Sequence, residues 1–166
     1  GNTWECISGW GHSPEHMALY SRSANVLISG DMVLPKISTN VSVYAQEPEA
    51  NALALFMRSL KKFDVLPADA LILPSHGRPF VGVHTRTAQL LKHHEDRLAE
   101  VLDACNERAG SAHDMLKVIF KRPLDFHQTT FAIGESVAHL HALWHAGKMK
   151  RFKDEQGVWR FQTVSN

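Results

Sequence analysis

Two short runs constrain the fold of this chain most. Val26-Leu27-Ile28 and Ala70-Leu71-Ile72-Leu73 are apolar at every position. Side chains alternate between the two faces of a strand, so a wholly apolar strand is expected to be buried on both. Each run ends in a glycine-bearing polar loop, Ser29-Gly30-Asp31 and Pro74-Ser75-His76-Gly77. Between and after them lie stretches with helical periodicity. The order reads β-β-α-β-α, an α/β layered arrangement.

Earlier strands are expected around Trp4 to Ile7 and at Met17-Ala18-Leu19-Tyr20, with a turn at Arg22-Ser23-Ala24-Asn25. Glu47-Pro48-Glu49 reads as a helix start, with Leu53, Phe56, Met57 and Leu60 on the apolar face. A long helix is predicted from about Val83 to Asn106. Ser111 with Asp114 resembles a capping box, and Pro123 ends that helix. A further helix is predicted from roughly Gly134 to Ala146, with Gly147 as its C-cap. Met149 to Phe152 and Val158 to Phe161 then form a hairpin about Asp154-Glu155-Gln156-Gly157. Two helices followed by a hairpin fit a winged helix. The expected division is residues 1–82, a linking helix over 83–110, and a winged-helix-like domain over 111–166.

Composition excludes several classes. The chain has 166 residues and is 44% apolar, enough for a buried core. No apolar run approaches the roughly 20 residues that span a bilayer. With 18 basic and 17 acidic side chains there is no whole-chain case for nucleic acid or acidic lipid. Charge is uneven: residues 1–110 hold 10 basic and 12 acidic groups, residues 111–166 hold 8 and 5. Cys6 and Cys105 are far apart, which argues against a disulfide scaffold or a Cys-x-x-Cys pair and fits a reducing, cytoplasmic setting.

The 11 histidines are the other oddity. Three loops at strand ends carry side chains able to bind a metal: Gly11-His12-Ser13-Pro14-Glu15-His16, Ser29-Gly30-Asp31 and Pro74-Ser75-His76-Gly77. In α/β sheets, ligands bind beyond strand ends, so such loops can converge. Imidazole and carboxylate suit Zn²⁺ and similar metals. Taken singly, each also reads as an ordinary loop residue.

Together the three motifs resemble those of the metallo-β-lactamase-fold hydrolases, in their glyoxalase II-like branch. The resemblance implies the C-terminal half of an αββα sandwich, followed by a winged-helix domain. Gly134-Glu135-Ser136-Val137-Ala138-His139-Leu140 adds to the likeness of the tail. It implies that His12 is a ligand of a first metal, His76 of a second, and Asp31 the carboxylate that bridges both and is essential to catalysis. His16, Arg78 and His84 are assigned secondary places, as supporting or substrate-facing residues. His139, His141 and His145 are assigned to packing or to a solvated flank.

The resemblance also implies two divalent metals, Zn with Fe or Mn as alternatives, that activate water against a thioester or related acyl bond. The family's upstream His-x-His-x-Asp-His motif is absent, and His93-His94-Glu95-Asp96 does not replace it. Three ligands cannot complete two metal shells. The chain, which opens without Met, is therefore read as a fragment of a larger hydrolase. Alone it is expected to be inactive, to hold an incomplete or empty metal site, and to be prone to self-association through an open sheet edge. The alternatives are a ribonuclease of the same fold and a non-catalytic winged-helix module that binds nucleic acid or protein. The basic hairpin (Lys148, Lys150, Arg151, Lys153, Arg160) favours the first; the absence of Arg and Lys from the preceding helix argues against the second.

Overall fold

The computed structural model describes residues 1 and 3–164. It is a mixed α/β structure. Three strands open the chain: β1 (Glu5–Gly9), β2 (His16–Ser21) and β3 (Val26–Gly30). Helix α1 (Ala52–Leu60) and a 3₁₀ turn (Lys61–Val65) follow, then β4 (Leu71–Pro74) and the long α2 (Val83–Ala104). The chain ends with α3 (Ala112–Ile119), α4 (Phe126–His145), β5 (Met149–Lys153) and β6 (Trp159–Thr163). No helix among the described residues is long and apolar enough to cross a membrane. The chain divides into two compact units: Gly1–Asn40 with Ala54–His93, and Val41–Leu53 with His94–Asn166.

The first unit is built on a four-stranded sheet in the order β1-β2-β3-β4. The first three strands run antiparallel and β4 joins β3 in parallel. Register places Tyr20 beside Leu27 and Leu27 beside Ile72 on one face. That face is fully buried, as are Phe56, Leu60 and Phe63. Burying each such side chain contributes roughly 1.5–3 kcal/mol.

The other face differs from the sequence expectation. Leu19 pairs with Ile28, and Val26 with Leu71, so these residues share the opposite side. There Met17 is 46% exposed, Ile28 38% and Leu71 40%. Among the described residues the apolar strands are thus buried on one face and partly exposed on the other.

The second unit packs α3, α4 and the β5–β6 hairpin around Val101, Cys105, Met115, Ile119, Leu140, Leu143, Met149 and Phe161. Ser111 and Asp114 form the expected capping box, with Asp in the place of the usual Glu. Gly147 follows α4 with φ 71°, and Lys148 N–H reaches back to the Leu143 carbonyl. Asp154 organises the hairpin turn, accepting from the N–H groups of Gln156 and Val158 and from Arg160 Nε.

Two helix starts lie elsewhere than expected. Residues 47–49 are in turns, and α1 begins at Ala52. The carbonyls of Glu49 and Ala50 accept from His145 Nε2 and His141 Nδ1 instead of from backbone N–H groups one turn on. Helix α4 begins at Phe126, two turns before Gly134, because Asp125 caps it by accepting from Gln128 N–H at 2.7 Å.

Candidate metal centre

The centre lies wholly within the first unit and is assembled from the loops that follow β1, β3 and β4. Pairing of β3 with β4 shifts register between Ile28 and Gly30, an irregularity that redirects the end of β3. Ser29 closes the turn: its Oγ donates to the Val33 carbonyl at 2.9 Å, and its own carbonyl accepts from Met32 N–H. Gly30 has φ 54°, a region glycine enters without strain. A Cβ there would come within 2.5 Å of His16 Nε2, so the imidazole occupies the space that a side chain would need.

Asp31 is held on all sides. Its N–H donates to His16 Nε2 at 3.3 Å. Its carbonyl accepts from Thr39 Oγ1, and its Oδ1 accepts from Ser75 Oγ at 2.6 Å. The carboxylate faces two histidines: Oδ2 lies 3.6 Å from His12 Nε2, and Oδ1 lies 3.5 Å from His76 Nε2. The loop after β4 is tied in by Ser75 N–H donating to the Gly30 carbonyl at 3.1 Å.

His12 Nδ1 donates to the Asn40 carbonyl at 2.8 Å. A carbonyl only accepts, so Nδ1 carries a proton, and Nε2 is the nitrogen turned toward Asp31. A bare nitrogen lone pair facing a carboxylate oxygen is unfavourable unless a proton or a metal cation lies between them. Two such donors on one tetrahedral zinc, each with a bond of about 2.0–2.1 Å, are separated by roughly 3.3 Å. The observed 3.6 and 3.5 Å separations are therefore those of donor pairs able to share a cation. Each pair gives two ligands of the three that a catalytic zinc takes from protein. Among the described residues no three or more His, Cys, Asp or Glu side chains close around a single point. The donors instead form two pairs that share the Asp31 carboxylate.

His16 does something different. Its Nε2 accepts from the Asp31 backbone, which leaves the proton on Nδ1, a buried atom without a hydrogen-bond partner. Burial lowers its pKa, helped by neighbouring His12 and opposed by Asp31. A neutral ring wedged against Gly30 sets the Asp31 backbone and has no nitrogen turned to the His12–Asp31–His76 row.

Arg78 is exposed just past His76. His84 stands in the first turn of α2 with Nε2 buried and unpartnered. Neither makes a hydrogen bond or ion pair to Asp31. Thr39, Asn40 and Ser75 carry contacts that sequence reasoning missed. The Thr39 and Ser75 hydroxyls look like any loop hydroxyl, and the Asn40 group in use is a carbonyl that every residue has.

In the second unit, His139 Nδ1 donates to the Glu135 carbonyl at 2.9 Å, and its ring lies 5.6 Å from that of His94. His141 and His145 donate to the Ala50 and Glu49 carbonyls; His139 and His141 are buried in packing, whereas His145 is exposed. Arg151 lies 3.8 Å from the Trp144 ring and 4.3 Å from that of Trp159, and pairs with Glu49 at 2.7 Å.

Residues 98–164 match the family model of the metallo-beta-lactamase-like C-terminal domain. A curated relative, the probable metallo-hydrolase YqjP of Bacillus subtilis (strain 168), is 22% identical over 144 residues, covering 84% of this chain and 44% of that protein. The crystal structure of a beta-lactamase domain protein from Burkholderia ambifaria is 53% identical with a TM-score of 0.96, over 99% of this chain and 49% of that one. The metallo-beta-lactamase family protein TTHA1429 from Thermus thermophilus is 29% identical with a TM-score of 0.85, over 99% and 50%. The chain thus spans about half the length of the proteins it matches. Its fold is that of the C-terminal half of the metallo-β-lactamase fold.

Proposed function

We propose that this chain supplies the C-terminal half of a dinuclear metal-dependent hydrolase of the glyoxalase II-like branch, acting on a thioester or related small acyl substrate. The observation that carries the reading is the Asp31 carboxylate, which offers one oxygen to His12 and the other to His76. In this reading His12 and Asp31 would hold one divalent cation and His76 with Asp31 the second, with zinc the preferred metal and iron or manganese the alternatives. When bound, such a metal pair lowers the pKa of water toward neutrality and polarises the scissile bond. The chain's own residues orient: Asn40 selects the His12 tautomer, and His16 and Thr39 fix the Asp31 backbone. The half-shells are completed by ligands from an upstream half, which also covers the sheet face carrying Met17, Ile28 and Leu71.

The second unit, with α3, α4 and the hairpin, is read as a winged-helix interaction module. Residues Trp144, Trp159 and Glu49 engage Arg151, and Asp114 and Asp154 engage Arg160. Two cations of the hairpin are therefore already used in packing, which favours a small-molecule substrate over a nucleic acid.

Metal analysis of the full-length protein tests the reading. About two metal ions per chain and loss of hydrolysis in Asp31→Ala are expected. A protein purified without chelators that holds no metal, and stays inactive toward thioesters with added Zn²⁺, Mn²⁺ or Fe²⁺, refutes it.

A further inference from the structure

We infer that Ser75 is a positioning residue that sets the rotation of the Asp31 carboxylate, so that its two oxygens face different histidines. The inference rests on the dinuclear reading above. The Asp31 backbone is fixed at both ends, its N–H on His16 and its carbonyl under Thr39. The freedom that remains lies in the side chain, whose terminal torsion is broad and roughly two-fold for aspartate. Ser75 Oγ closes it with a 2.6 Å charge-assisted bond to Oδ1. The Ser75 N–H bond to the Gly30 carbonyl holds the hydroxyl in place, since it ties the residue before His76 to the residue before Asp31.

The consequence is an unequal carboxylate. Oδ1 is shared between Ser75 and the His76 side, whereas Oδ2 faces His12. Without the hydroxyl the carboxylate can turn both oxygens toward one histidine, and the two half-shells lose their common member. Ser75 is exposed, so its role is not one of packing. Partners of this kind, which hold a ligating carboxylate in place, typically change metal affinity 10–100-fold when removed.

Titration of the metal-free full-length protein with Co²⁺, followed by the visible absorption of the bound ion, tests this. Ser75→Ala is expected to weaken Co²⁺ binding about 10–100-fold and to alter the spectrum. Ser75→Thr, which keeps the hydroxyl, is expected to restore both. Wild-type affinity and spectrum in Ser75→Ala overturn the inference and leave the dinuclear reading standing. So does a Ser75→Thr protein no better than Ser75→Ala. A wild-type protein that binds no Co²⁺ overturns the dinuclear reading and the inference with it.

Discussion

Replacing Gly30 by alanine probes the geometry of the centre without touching a ligand. Two penalties combine. Alanine at φ 54° occupies the left-handed region, at roughly 1–2 kcal/mol. Its Cβ would also stand 2.5 Å from His16 Nε2 and 2.7 Å from His16 Cε1, so the ring must move. Overpacking of this kind costs about 1–3 kcal/mol, and the hydrogen bond from Asp31 N–H to His16 is lost with it. The total is about 3 kcal/mol. For a chain of this size that lowers the melting temperature by roughly 6–12 °C. Thermal unfolding followed by circular dichroism measures it. The decisive comparison is the double variant His16→Ala/Gly30→Ala, in which the clash is gone and only the backbone penalty remains. Its destabilisation should fall short of the sum of the single variants by about 1–3 kcal/mol. A Gly30→Ala protein within about 0.5 kcal/mol of the parent, or strictly additive single variants, refutes the packing argument.

Burial pushes the Glu135 carboxyl from its ordinary 4.5 up to about 7. Because the folded-state pKa is the higher one, the folded protein holds this proton more tightly. Its contribution to stability is fully present below about pH 4.5 and is lost as pH rises to about 7, a total on the order of 3 kcal/mol. Glu135→Gln should flatten that part of the profile and be more stable than the parent at pH 8; chemical denaturation at pH 5 and pH 8 measures it, and an unchanged slope refutes it. Ser111→Ala removes one half of the capping box of α3 and should cost about 1 kcal/mol in the same assay, whereas Ser111→Thr, which keeps the hydroxyl, should retain most of the stability.

Much of the candidate centre was legible in the residues because its chemistry is carried by residue type. Histidine and aspartate beside glycine at strand ends identify His12, Asp31 and His76, and the fold brings all three within one unit. The Ser111–Asp114 capping box and the Gly147 stop were legible for the same reason, since each has a local signature within a few residues. The two apolar strands were read correctly as strands, but their cover was not. Whether Ile28 and Leu71 meet a second layer depends on how much of the sheet's surroundings one chain contains, which no local pattern encodes.

What the sequence by itself determined is therefore the set of candidate ligating groups, the order of elements and the Ser111 and Gly147 caps. Tertiary structure alone decided how Asp31 is aimed, that His16 fills the space beside Gly30, and that Thr39, Asn40 and Ser75 serve the centre. It also decided that residues 47–49 form turns, their carbonyls engaged by α4 histidines. The physical reason is common to these cases. Backbone carbonyls and hydroxyls occur throughout any chain, and a hydrogen bond gives them a role only when folding brings a partner from far away in sequence to within about 3 Å.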